Sequence, residues 1–367
     1  LSEPHLDTTP EIRAKVNDLV GGLTEPDQKI EALFNFVSRE IRYMGITAET
    51  VSPGYEPHDV ADTFNARHGV CRDKAALLVA MLREAGLDAF PALINNGPKK
   101  DPEVPQPYFN HAIVAVRLDG GFRLMDPTDE TTRELLPSYL DDCSFLVATP
   151  EGETLMTSGI EPSDVNLLRI ETRGQVDDEG RLGATTRLVF NGINDNAYRG
   201  YFARIKPEER RRFFESVAKR VVPRARVTEV EILPSDMMDT STSLTVRVSF
   251  EADDVLVQGN ALTMLPLPVM GTRLGMVNFV IGKTGLESRR YPLKTGYACG
   301  VQETLELTLP DACGEAEIIP DFTPVEHEAI RWHAAMEQKG SRVAYEADFR
   351  LEVSEFSPDE YGLLKET

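Results

Sequence analysis

The run Cys71-Arg72-Asp73-Lys74 followed by Ala75 to Ala85 (AALLVAMLREA) constrains this chain more than any other. Its length and lack of prolines read as a helix, and it is apolar almost all round. A helix of that kind must be covered on most sides, so it belongs at the centre of a packed unit. Gly86 suits the position just past its end, where a left-handed residue closes a helix.

The segments before it also read as helical. Thr9-Pro10-Glu11 is a cap followed by a first-turn proline, and a second helix starts near Thr24-Glu25-Pro26-Asp27. That helix carries Ile30, Leu33, Phe34, Val37 and Ile41 at helical spacing, so one face is buried. Residues 46–58 read as a loop, a short helix begins at Asp59, and His68-Gly69-Val70 ends it. After the central helix, Leu87–Ile94 reads as a strand, and Asn95–Pro107, with its four prolines, as a loop. Tyr108–Leu118 and Phe122–Asp126 read as two strands joined by a turn at Asp119-Gly120.

From that turn a geometry follows. If Asp119 and Gly120 are the two central residues of a type I′ turn, Leu118 pairs with Gly121 and Ile113 with Asp126. His111, two residues from Ile113 on the same face, is then the diagonal neighbour of Asp126, about 7 Å away along the backbone. A bulge at Gly121 would shift this register by one.

Cys71 stands at the first turn of the central helix, where backbone N–H groups and the helix dipole favour an anion. A free thiol has a pKa of about 8.5 and attacks as thiolate. Arg72 and Lys74 add positive charge nearby, on side chains free to point elsewhere. A histidine that pairs with the thiolate completes the activation. Of the six histidines, His5, His58 and His68 have no visible orienting acid. His327 and His333 lie far downstream in a charged stretch that reads as helical. Only His111 has an acid placed beside it. In this reading Cys71 attacks a carbonyl, His111 moves the proton, and Asp126 holds the imidazole. The backbone N–H of Cys71 and one further donor would bind the oxyanion, and Tyr43, Arg72 and Asp73 are the weaker pocket candidates. A lone cysteine at a helix start is usually structural. The spacing Cys, forty residues, His, fifteen residues, Asp is what raises it above that.

Three segments resemble the core motifs of bacterial transglutaminase-like domains. They are Gly69-Val70-Cys71-Arg72-Asp73-Lys74-Ala75, Asn110-His111-Ala112-Ile113-Val114-Ala115-Val116 and Leu124-Met125-Asp126-Pro127-Thr128. Ile41-Arg42-Tyr43-Met44-Gly45-Ile46 is similar to the same group. The closest likeness is to large bacterial proteins with one β-rich domain before such a core and another after it. The resemblance implies a papain-related α+β fold and a Cys-His-Asp triad on a helix and two strands. It further implies no metal or organic cofactor, a peptide or protein substrate, and a periplasmic or otherwise extracytoplasmic setting. Hydrolysis is favoured over transfer to an amine, because bacterial members are protease-like. Val70 stands where an acidic residue often precedes the cysteine, and Arg123-Leu124-Met125 where aromatics are common, so the pocket departs from the family pattern. Two other readings are a non-catalytic interaction protein that keeps the fold and, less favoured, a zinc enzyme using Cys71, His111 and Asp126.

With 367 residues, two or three domains are expected. The chain divides into a transglutaminase-like domain at 1–150, a middle α+β or β-sandwich domain at 151–285, and a β-rich domain at 286–367. Strands are expected at Leu167–Glu171, Leu182–Phe190, Val227–Leu233, Leu244–Phe250, Val301–Leu309 and Ala344–Val353, with one helix at Pro207–Val221. On that helix Glu208 with Arg212 and Glu215 with Lys219 are spaced to pair.

The formal charge of −21 argues against a nucleic-acid partner. No apolar run approaches the ~18 residues of a membrane span, so membrane contact is not indicated. The first residue is Leu1, as in a mature or excised fragment, so the missing signal peptide does not bear on compartment. Cys143, Cys299 and Cys313 are expected in core packing. Cys299 and Cys313 flank a strand, which would hold their sulfurs on the order of 40 Å apart, too far for a disulfide. Asp177-Asp178 and Asp253-Asp254 lack calcium-loop spacing and read as turns.

Overall fold

The computed structural model describes residues 2–45, 54–104, 106, 108–118, 120–259 and 263–367. Most of the loop expected at 46–58, along with Ile46 and Asp119, lies outside them. The chain forms two compact units, Leu1–Gly159 and Ile160–Thr367.

In the first unit, helices α1 (Pro10–Val20) and α2 (Pro26–Glu40) lead to a two-residue strand β1 (Arg42–Tyr43). Thr9 caps α1 by accepting the Ile12 N–H. Helix α3 (Val60–Ala66) and strand β2 (His68–Gly69) follow, with β2 parallel to β1. Helix α4 (Cys71–Glu84) is the central one, buried from Asp73 to Leu82. Its partners are α1, α2, α3 and one face of an antiparallel sheet. The sheet has the order β5-β4-β3-β6-β7, from β3 (Ala89–Asn95), β4 (His111–Leu118), β5 (Gly121–Met125), β6 (Ser144–Val147) and β7 (Met156–Thr157). Val114, Val116 and Met125 join the helical core, while Phe90, Ile94, Ile113 and Ala115 form a second core with Leu140, Cys143 and Phe145.

The turn rule holds where it can be read: Leu118 pairs with Gly121, and the ladder runs to Val114 with Met125. There it stops, because the Asp126 N–H bonds the Leu135 carbonyl at 2.7 Å instead of continuing the strand.

The second unit is built on one eight-stranded sheet, of order β10-β11-β9-β8-β15-β18-β17-β16. Its first four strands by sequence are β8 (Leu167–Val176), β9 (Leu182–Phe190), β10 (Arg226–Leu233) and β11 (Thr245–Ala252). Two short pairs follow, β12 (Val257–Gln258) with β13 (Thr263–Met264), and β14 (Leu293–Lys294) with the later β19 (Glu355–Phe356). The sheet is completed by β15 (Cys299–Thr308), β16 (Val325–Glu326), β17 (Ile330–Lys339) and β18 (Arg342–Leu351). Burial alternates along these strands, as in an antiparallel sheet with one covered face. Helices α5 (Ile193–Arg204), α6 (Pro207–Val221) and α7 (Met276–Ile281) pack on it, and α8 (Pro358–Glu366) closes the chain.

Two expectations are corrected here. The boundary at 285/286 cuts through this sheet, because β15 pairs in parallel with β8, from Gly300 with Leu167 to Thr308 with Gln175. A parallel pairing needs a long crossover and leaves no turn signal at the joint. The stretch carrying His333 is a strand, β17, not a helix. Ala334 to Lys339 are good helix formers, but a full ladder to β18 and the Trp332–Phe349 contact outweigh that preference. On α6 the observed spaced pair is Arg211 with Glu215.

The cysteines form no disulfide; Cys143 and Cys299 are buried, whereas Cys313, expected in core packing, is exposed because it ends the short surface turn Asp311–Cys313. Asp177 accepts from Arg181 within its turn, and Asp253 and Asp254 pair with Arg226 and Arg224. Among the described residues no helix is long and apolar enough to cross a membrane, and no cluster could hold a metal ion.

Candidate active site

Local chemistry explains why Cys71 opens α4. Asp73 reaches back so that its Oδ2 accepts the Val70 N–H at 3.0 Å, capping the helix one residue before the thiol. Its Oδ1 accepts from His58, through the backbone N–H at 3.0 Å and the ring at 3.1 Å. Asp73 is therefore committed to the helix cap and the approaching loop rather than to a pocket. Gly69 is required by a close approach: a Cβ there would meet the Asp73 Cβ at 2.7 Å and Thr63 Cγ2 at 3.3 Å.

Cys71, half-buried, is brought against His111, the first residue of β4. The His111 Nε2 lies 2.8 Å from Asp126 Oδ2. With Nε2 so engaged, the hydrogen bond between His111 and Cys71 falls to the other ring nitrogen. Asp126 is fully buried and its other oxygen is also occupied. Oδ1 accepts from the Thr128 N–H at 2.9 Å and the Thr128 hydroxyl at 2.6 Å. The three residues singled out by spacing thus form one continuous chain of contacts.

The charges of this chain are coupled. Burial is the largest influence on the Cys71 thiol and pushes it up. Hydrogen bonds from His111 and from the Ala112 and Arg72 N–H groups outweigh burial together and leave the thiol below its ordinary range. Burial likewise opposes charge on His111. The Asp126 and Cys71 contacts overcome it and raise the imidazolium to about 10. The arrangement favours thiolate and imidazolium side by side.

Tyr43 sits at the same place. Burial, and then the negative charges of Cys71 and Asp126, push its hydroxyl up, while the ring stays 44% exposed. Its backbone N–H donates to Glu130 Oε1 at 2.8 Å. Lys74 does not serve the thiolate. It is fully buried, and its ammonium donates to the carbonyls of Ser38 at 3.2 Å and Ile41 at 2.5 Å. Burial brings it down to about 8, against the pull of Glu130, Asp126 and Asp129. Arg72 turns along the helix start, its Nε 3.8 Å from Asp73 Oδ1.

Two participants escaped the sequence reading. Thr128 had a signal: an aspartate often accepts the N–H two residues on, and Asp126-Pro127-Thr128 does so. Asp129 repeats the device with Thr131 at 2.9 Å. Tyr139, whose hydroxyl is pushed up by burial and then by the charges of Asp126 and Asp129, had none.

A helix opening on a half-buried cysteine is packed on an antiparallel sheet that carries the histidine and ends one residue before the aspartate. Residues 13–127 match the transglutaminase-like superfamily, so the first unit carries a transglutaminase-like core. Among solved structures, a protein from Parabacteroides distasonis described as a proposed protease is similar over 99% of this chain, with a TM-score of 0.53 at 12% identity. This chain spans 55% of that protein's length, and the likeness supports the α+β fold alone. A proposed cysteine protease from Cytophaga hutchinsonii matches 36% of this chain and 42% of its own, with a TM-score of 0.27 at 22% identity. No curated protein matches in sequence.

Proposed function

We propose that the protein is a cysteine hydrolase of peptide or protein amides, acting through a thioester on Cys71. The observation that carries this reading is the unbroken line from the half-buried Cys71 through His111 to the buried Asp126. The Cys71 thiolate attacks the amide carbonyl carbon, and the oxyanion forms facing the Cys71 backbone N–H at the helix start. The C–N bond then breaks, and His111 gives its proton to the leaving amine. Water next attacks the thioester. His111 takes a proton from that water, the carboxylic acid leaves, and the thiolate–imidazolium pair is restored. Asp126 keeps Nε2 bonded and the imidazolium stabilised throughout. Tyr43, whose hydroxyl feels the Cys71 charge, is the candidate for the further oxyanion donor.

The hydrolytic direction agrees with the name the Parabacteroides neighbour carries and with the family resemblance. The test is alkylation by iodoacetamide across pH with the modified cysteine mapped. Cys71 should react selectively well below pH 8, and His111→Ala should abolish that selectivity. A Cys71 that reacts no faster than an ordinary thiol sinks the enzyme reading and leaves the interaction-protein reading. A panel of peptide amides, with and without an added primary amine, separates hydrolysis from transfer.

A further inference from the structure

Among the described residues of the first unit, the exposed large apolar side chains are Tyr43, Met44, Tyr55, Val104 and Tyr108. Single exposed apolar residues are ordinary on a protein surface, but these are not scattered. Tyr43 pairs with Gly69, and the Met44 N–H donates to the Gly69 carbonyl at 3.1 Å, just before Cys71 opens α4. Tyr108 precedes Phe109, Asn110 and His111 in the chain. The Tyr55 hydroxyl grips the Phe109 backbone from both sides, at 3.1 Å to its carbonyl and 3.2 Å to its N–H. Tyr43 and Met44 are thus fixed beside the start of α4, and Tyr55 and Tyr108 beside the start of β4. The two groups flank the Cys71–His111 pair, and Val104 stands just before the second in sequence.

The backbone under both flanks is pinned. On the first, the Arg42 N–H donates to the Arg67 carbonyl at 2.8 Å, and the Tyr43 N–H donates to Glu130 Oε1 at 2.8 Å. On the second, Asn110 Oδ1 accepts the Asn96 N–H and Asn110 Nδ2 donates to the Asn96 carbonyl, each at 2.8 Å. The Phe109 ring is covered by Lys100, whose Nζ lies 5.0 Å from its centroid. Segments held so firmly still leave Met44 44% and Tyr108 78% exposed. Apolar groups on a fixed backbone are preorganised: a ligand that covers them gains burial at little cost in ordering.

We propose that these two flanks read the residues on either side of the scissile bond, so that the preferred substrate is an extended peptide with a large apolar or aromatic side chain on each side. This rests on the cysteine-hydrolase reading above. The thioester keeps the acyl part of the substrate on Cys71, so Met44, beside the start of α4, meets the acyl side. His111 protonates the leaving amine, so Tyr55 and Tyr108, tied to the start of β4, meet the amine side.

The test is a series of peptide amides of one length carrying Phe, Leu, Ala or Asp on each side of the cleaved bond. Replacing Phe or Leu by Ala on either side should lower kcat/KM about tenfold or more. Met44→Ser should remove the acyl-side preference alone, and Tyr108→Ser the amine-side preference alone. Both side chains are exposed, so neither change should disturb folding or the pH window of Cys71 alkylation by iodoacetamide. Equal kcat/KM for the Phe and Ala peptides, or preferences that neither variant shifts, overturn the proposal while leaving the nucleophile reading intact. A wild-type Cys71 that alkylates as an ordinary thiol defeats that reading instead. The same peptides, fluorescently labelled, are then titrated against the Cys71→Ala protein by anisotropy. Tighter binding of the Phe peptides, lost in Met44→Ser or Tyr108→Ser, supports the apolar flanks, and equal binding overturns them.

Discussion

Both units bury thiols and charges, and they use them differently. Cys71 and Cys299 each open a secondary-structure element. Cys299 is fully buried, and burial alone pushes its thiol far above the ordinary range, where it is inert. Cys71 is also buried enough to be pushed up, but His111 and two N–H groups reverse the sign. The carboxylates divide in the same way. Asp126 spends its oxygens on Thr128 and on a histidine that faces a half-buried sulfur. Asp195 in the second unit forms a closed pair with the fully buried Arg199, whose remaining donors go to the carbonyls of Met237, Asp239 and Thr242. Glu303 accepts the N–H groups of Met270 and Gly271. Buried charge by itself therefore marks architecture as often as chemistry. A candidate site appears where the buried network ends on a nucleophile that solvent can reach.

The largest effects should fall where the two kinds of network differ most. His111→Ala should lower amide turnover by about 10³-fold or more, and should also cost stability, because the buried Asp126 then keeps only its Thr128 partners. Cys299→Ser should cost about 1–3 kcal/mol of stability in urea titration with turnover retained. If both substitutions hurt turnover equally, the contrast between the units fails.

Next comes Asp195→Ala, which strands a buried guanidinium. Equilibrium unfolding should show a loss of about 3–5 kcal/mol, with the pH window of Cys71 alkylation unmoved.

A smaller effect tests Glu303. Burial pushes its carboxyl up to about 7, although the Met270 and Gly271 N–H groups pull it down. The folded state thus keeps a proton that the unfolded chain loses near 4.5. The stability this brings is complete below that lower value and is lost as pH rises through about 7. It amounts to about 3 kcal/mol. Melting curves from pH 4 to 8 should fall less steeply for Glu303→Gln than for wild type; identical slopes would remove Glu303 from the account.

The smallest effect is at Tyr55, whose hydroxyl donates to the Phe109 carbonyl at 3.1 Å and accepts the Phe109 N–H at 3.2 Å, just before His111. Tyr55→Phe should cost about 1 kcal/mol or less and raise KM more than it lowers kcat, as expected of a loop clamp.

Whatever depends on neighbours along the chain was legible in the sequence. The caps, the buried face of α2, the all-apolar α4 with Cys71 at its first turn, and the hairpin register each follow from helical period or turn chemistry over a few residues. That register holds as far as Val114 with Met125, one residue short of Asp126. Near the end of the chain, Ser357 and Glu360 cap α8 by the same local rule, and that signal was open to reading.

Only the tertiary structure decided the rest. The parallel pairing of β8 with β15 joins strands more than a hundred residues apart. The ladder to β18 turned a helix-forming stretch into β17. Lys74 was drawn away from the thiolate by the carbonyls at the end of α2, and a loop beyond the hairpin carried Tyr139 to Asp126. In each case the deciding energy is a contact between distant segments, which exists only once the core has formed, so no window of sequence contains it.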